Sequence, residues 1–152
     1  MDRFVEAIRA CSVVGLDTSI FIYHFEAHPT YLTLTRELLS TIEQGVLRGT
    51  TSTITLMEVI VKPLALGRPE VARKYEALLV NFPNLVMVDL DRDVVRQAAR
   101  LRAAHRLRPP DALQVSACLQ CGADVLVTND KALKRLGDRL KVIVLDDYVN
   151  NA

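Results

Sequence analysis

Tryptophan is missing from this 152-residue chain, and four tyrosines and four phenylalanines supply all of its large aromatic rings. Hydrophobic residues nevertheless reach 50%, so any interior has to be packed from aliphatic side chains. Cysteine is scarce and odd in number, which excludes a disulfide-stapled scaffold. Cys118 and Cys121 form a CxxC, but they lie in an apolar run with no second pair to complete a zinc site, and read as structural thiols of a reducing compartment. Six glycines and six prolines, widely dispersed, exclude collagen-like and low-complexity architectures. No apolar stretch approaches the roughly 20 residues of a membrane span. The N-terminal MDRFVEAIRAC carries charges where a signal peptide needs an apolar core. These absences predict a cytoplasmic protein with no membrane attachment. Charge of one sign is lacking too: 19 basic and 18 acidic residues leave a net +1, so a polyanionic partner has to be met by a local patch.

What is present is an alternation of strand-like and helix-like segments over one domain, residues 1–152. Val13 to Leu16 reads as a first strand, Thr50 to Thr55 as a second, Leu85 to Leu90 as a third, Val125 to Thr128 as a fourth and Val142 to Leu145 as a fifth. Between them, helices are predicted over Thr30 to Val46, through Glu58 toward Lys62, from Pro69 to near Phe82-Pro83, over Asp91 to His105, from the Pro109-Pro110 break to Gly122, and over Lys131 to Leu136. Apolar strands alternating with helices imply an α/β fold with a parallel sheet covered on both faces.

Four acidic residues occupy special places on that scaffold. Asp17 ends the first strand, Glu58 follows the second, Asp111 opens a helix after the two prolines, and Asp130 follows the fourth strand in VLVTND. Ligands of open parallel sheets bind outside the carboxyl ends of the strands. Each acid alone reads as a helix cap worth about 1 kcal/mol. As a set they resist that reading. Thr18 and Ser19 could cap in place of Asp17, and Glu58 lies within ITLMEVIV, where a charge needs a partner. Clustered carboxylates at neutral pH bind a cation or take up protons, and all-oxygen ligands suit Mg²⁺ or Mn²⁺ rather than zinc.

DTSIFIY, Thr55-Leu56-Met57-Glu58 and PPDALQVSACLQCGADVLVTND together resemble the PIN-domain family, most closely the VapC-type toxin ribonucleases of toxin–antitoxin pairs. The resemblance runs from Asp17 to about Asp130. It implies a three-layer α/β/α fold with a central, mostly parallel five-stranded sheet, and Mg²⁺- or Mn²⁺-dependent endoribonuclease activity leaving a 5′-phosphate and a 3′-hydroxyl. Carried over, Asp17, Glu58, Asp111 and Asp130 become the catalytic and metal-binding acids, with Ser19, Thr128 and Asn129 in support. A homodimer and a cognate antitoxin covering the acidic crevice are also implied. The apolar helices 30–46 and 55–66 read equally as contact surfaces or as plain core, and four clustered carboxylates are expected to draw a basic antitoxin side chain toward Asp17.

For RNA contact, Arg108 and Lys131 are the best-placed cations, with Lys134 beside them. Arg92, Arg96, Arg100, Arg102 and Arg106 fall within an arc of about 160° on one helix, which reads chiefly as a solvated face. His24 and His28 belong to a loop near the site mouth, His105 to a core-facing helix side, and Asp146-Asp147 to a solvated chain end. Two other functions remain open: a catalytically silent PIN-like RNA-binding or assembly module, and a Mg²⁺-dependent phosphatase. The phosphatase needs a second aspartate where Ser19 stands.

Overall fold

The carboxyl ends of five parallel strands all point the same way in the computed structural model, which describes residues 1–149. In chain order the elements are α1 (Asp2–Arg9), β1 (Val13–Leu16), α2 (Thr18–Phe25), α3 (Leu32–Glu43), β2 (Arg48–Ser52), α4 (Thr53–Ala65), α5 (Pro69–Val80), β3 (Leu85–Val88), α6 (Arg92–His105), α7 (Pro109–Gln120), β4 (Val125–Thr128), a 3-10 helix (Lys131–Arg139), β5 (Lys141–Val144) and α8 (Asp146–Val149). The sheet order is β3-β2-β1-β4-β5. The chain therefore steps outward through β2 and β3, then returns to the other side of β1 for β4. The switch point lies between β1 and β4, where crevices open in sheets of this kind.

Side-chain alternation along the strands builds two cores, one on each face. Val14, Leu16, Val125 and Val127 pack with Phe4, Ile8, Leu38 and Ile42 of α1 and α3. Leu126 faces the opposite way, toward Leu101, Val115, Cys118, Leu133 and Leu136 of α6, α7 and the 3-10 helix. The result is the α/β/α sandwich expected from the sequence. The close approach of α7 to β1 depends on Gly15. A Cβ there would stand 2.9 Å from Cys118 Sγ and 3.0 Å from its Cβ. Cys118 is thus a buried packing thiol, and all three cysteines are free.

Several boundaries differ from the sequence reading. The second strand spans Arg48–Ser52 rather than Thr50 to Thr55, because Ser52 accepts a hydrogen bond from Ile54 N and starts α4. Three helices, α1, α2 and α8, were not foreseen as such. The stretch 30–46 forms a helix only over Leu32–Glu43, and its apolar face is core: Leu34, Leu38, Leu39 and Ile42 are buried. The C-terminal acids are not merely solvated: Asp146 accepts from the Tyr31 hydroxyl, and Asp147 pairs with Lys134 at 2.8 Å. Among the described residues, no helix is long and apolar enough to cross a membrane.

Candidate active site

Asp17 follows β1 directly, in extended conformation, and is the N-cap of α2. The capping reading of this residue therefore holds. The parallel register pairs Leu16 with Val127, so the next residues, Asp17 and Thr128, end up side by side. Thr128 Oγ1 donates to Asp17 Oδ2 at 2.6 Å, and Thr18 N donates to Oδ1 at 2.9 Å. Thr128 Oγ1 in turn accepts from Asp130 N at 3.1 Å, which turns the chain so that Asp130 caps the 3-10 helix through Ala132 N. One threonine thus organises two of the acids.

Glu58 lies in the second turn of α4 and finds its partner in a hydroxyl. Thr18 Oγ1 donates to Glu58 Oε1 at 2.8 Å. Asp111 lies in the first turn of α7, whose prolines at the helix start need no donor there. Arg108, the N-cap, folds back so that Nε is 2.9 Å from Asp111 Oδ2 and Nη2 is 3.5 Å from Asp130 Oδ2. All four acids, with Thr18, Ser19, Tyr23, Arg108 and Asn129, line one cleft of about 360 Å³.

Burial pushes the Asp17 carboxyl above its ordinary range. The hydrogen bonds from Thr128 and Thr18 oppose that rise, while the charges of Asp111 and Glu58 add to it. Asp111 also holds the Arg108 guanidinium more firmly protonated, first by hydrogen bonding and then by charge. No three carboxylate, histidine or cysteine groups among the described residues are gathered closely enough to enclose an ion. Arg108 stands against two of the acids instead.

The supporting residues divide differently from the sequence reading. Ser19 lines the cleft, yet its buried Oγ has no hydrogen-bond partner, and the contacts expected of it are made by Thr18 and Thr128. Asn129 braces the rim: its Nδ2 donates to Tyr23 Oη at 3.2 Å and its Oδ1 accepts from Asp146 N at 3.0 Å. Lys131 is exposed outside the cleft lining, and Lys134 is engaged by Asp147. The α6 arginines serve local contacts, Arg96 with Asp93, Arg100 with Gln97 and Arg102 with the Leu107 carbonyl. His28 packs with Tyr23 and Tyr31 near the cleft mouth, and His24 sits on α2 facing Thr35.

Two residues have roles that the sequence did not show: Thr18, read only as an alternative cap, and Gln114, not singled out at all. Thr18 touches the site directly, and Gln114 lies buried beneath it, bonded to the Leu16 carbonyl and to Thr51 and Thr55. The signal for Gln114 was a lone amide inside the apolar run DALQVSAC, since a buried amide must find partners.

The chain matches the PIN domain family over residues 14–139, and it belongs to that family. Its fold is similar to solved VapBC toxin–antitoxin structures. One is VapBC2 from Rickettsia felis, bound to a DNA fragment from its promoter (20% identity, TM-score 0.69, covering 87% of this chain and 98% of that one). Another is DNA-bound VapBC from Salmonella typhimurium (21%, 0.67, 88% and 98%). A third is VapC20 of Mycobacterium tuberculosis, described as a sarcin–ricin loop cleaving toxin (16%, 0.59, 76% and 87%). No curated protein matches in sequence.

Proposed function

We propose that this PIN-domain protein is a metal-dependent endoribonuclease and the toxin of a toxin–antitoxin pair. The observation that carries the proposal is the convergence of Asp17, Glu58, Asp111 and Asp130, from four separate segments, on one cleft at the sheet's switch point. The residues fit a hard divalent cation. The donors are all oxygen, Asp17 is half-buried with its carboxyl pushed up chiefly by desolvation and further by the charges of Asp111 and Glu58, and a guanidinium stands against Asp111 and Asp130. The buried, unpartnered Ser19 Oγ is a further oxygen on the same wall.

Asp17, Asp111 and Asp130 would hold Mg²⁺ or Mn²⁺, directly or through water, and Glu58 would bind a second ion or position the attacking water. When bound, the ion supplies Lewis acidity toward the phosphodiester and a more acidic water. Thr128 keeps Asp17 oriented, and Arg108, with its side chain 71% exposed, is free to turn from the acids to an incoming phosphate. The exposed apolar row Met57, Val61 and Leu64, on one face of the helix that carries Glu58, supports a protein partner on α4. A homodimer and an antitoxin bringing a basic side chain to the acids complete the reading.

Purified protein is expected to cut RNA internally in Mg²⁺ or Mn²⁺ and to stop in excess EDTA, with 5′-phosphate and 3′-hydroxyl ends on the products. Arg108→Ala is expected to weaken RNA binding and to reduce its log–log salt slope by about one. Cleavage that persists in EDTA would remove the metal from this account.

A further inference from the structure

We infer that Gln114 and Thr18 are positioning residues for the acidic site: a buried hydrogen-bond chain, Gln114–Thr55–Thr18–Glu58, fixes which oxygen of Glu58 faces the cleft. This rests on the function proposed above and adds the device that sets Glu58. The chain's direction follows from counting hydrogens. The Leu16 carbonyl only accepts, so the end of Gln114 that lies 2.9 Å from it is the NH₂ group. The Ser52 hydroxyl bonds the opposite end, Oε1.

At the other terminus, a Glu58 carboxylate only accepts, so the single hydrogen of Thr18 Oγ1 goes to Glu58 Oε1. Thr18 must then accept in its 3.2 Å contact with Thr55, which makes Thr55 the donor. With its own hydrogen committed, Thr55 accepts from Gln114 Nε2 at 2.8 Å, while Thr51, 2.7 Å away, gives its single hydrogen to the Leu16 carbonyl at 2.9 Å. Every donor on the path points toward Glu58. Oε1 is occupied, and Oε2 is the oxygen left for the cleft.

The placement of Gln114 gives this chain its reach. Leu16, whose carbonyl it bonds, is the residue before Asp17. Gln114 itself lies one helical turn after Asp111, and Thr55 one turn before Glu58. One amide therefore ties together the three elements that carry three of the acids. Gln114 is 2% exposed, and Thr18, Thr51 and Thr55 are also buried, so water does not compete for these bonds. Asp130 is outside this network and depends on Thr128 instead.

The test pairs Thr18→Val, which keeps the shape and loses the hydroxyl, with Thr18→Ser, which keeps it. Mn²⁺ binding is read by calorimetry and RNA cleavage by steady-state kinetics. Thr18→Val is expected to lose about 10–100-fold in Mn²⁺ affinity or in kcat, with KM changed less than about threefold, and Thr18→Ser to recover most of the loss. Gln114→Leu should shift the same readouts in the same direction; if it does not fold, the Thr18 pair decides. Unchanged Mn²⁺ affinity and kcat in Thr18→Val, or a loss that Thr18→Ser does not recover, would overturn the inference. Wild-type protein that binds Mn²⁺ but cuts no RNA would remove the nuclease reading, while the affinities would still report on Glu58.

Discussion

Asp17 carries a conflict between folding and function. Its carboxyl is held above the ordinary value of 3.8, with burial the largest cause. The folded, metal-free protein thus binds that proton more tightly than the unfolded chain. The group's contribution to stability is most favourable at low pH and declines as pH rises past 3.8 toward the folded-state value. Asp17→Asn removes that penalty and can still accept from Thr18 N. In EDTA at neutral pH, the variant is expected to be more stable than wild type by about 1 kcal/mol, read as a higher Tm. A lower Tm would mean that the Thr128 contact outweighs the buried charge. The acids could be singled out in the sequence because, as a set, they fall at or just past predicted strand ends and helix starts: Asp17 ends an apolar run, Glu58 interrupts one, Asp111 follows two prolines and Asp130 follows the fourth strand. Thr18 and Gln114 were not, because a hydroxyl or amide at these places shows its partners only once distant segments meet. Ser19 was credited with a contact that falls to its neighbour: α2 begins at Thr18, and the helical turn aims Thr18 at Glu58.

At the scale of elements, β1 is fastened at both ends. Its carboxyl end is held by the register with β4 that brings Asp17 to Thr128. Its amino end is held by Asp124, whose Oδ2 accepts from Ser12 N at 2.6 Å and Val13 N at 3.0 Å. Those two bonds lower the Asp124 pKa, so its stabilisation is present above the ordinary carboxylate value and is lost as pH falls through the depressed one. Asp124→Ala is expected to cost about 1 kcal/mol in urea unfolding at neutral pH, with the difference closing in acid. A difference independent of pH would assign the effect to packing. Strands β1 and β4 were read to the residue because their bounds coincide with changes in residue type. Helix α2 was not foreseen, since TSIFIYHF is apolar on nearly every side and shows no helical stripe. The end of β2 was misplaced because threonine suits a strand by propensity, while Ser52 ended it by capping.

The described residues carry two contrasting surfaces, an acidic cleft beyond the carboxyl ends of the strands and an exposed apolar row, Met57, Val61 and Leu64, on α4. The fold class followed from the alternation of apolar strands and helices, and the strand order could not, because nothing local in β4 states that it returns beside β1. The sequence offered two helices as partner surfaces. The structure buries the apolar face of α3 and leaves Met57, Val61 and Leu64 of α4 exposed. For the homodimer proposed above, Val61→Glu is expected to leave Tm within a few degrees of wild type and to weaken self-association in sedimentation velocity; a variant and wild type that sediment alike would remove α4 from that proposal. The central claim is that the cleft's carboxylates cut RNA, and single-turnover cleavage in Mn²⁺ by Asp111→Asn, with its folding confirmed by Tm, tests it most directly. The account predicts a loss of about 1,000-fold or more against wild type. Cleavage at the wild-type rate would contradict it.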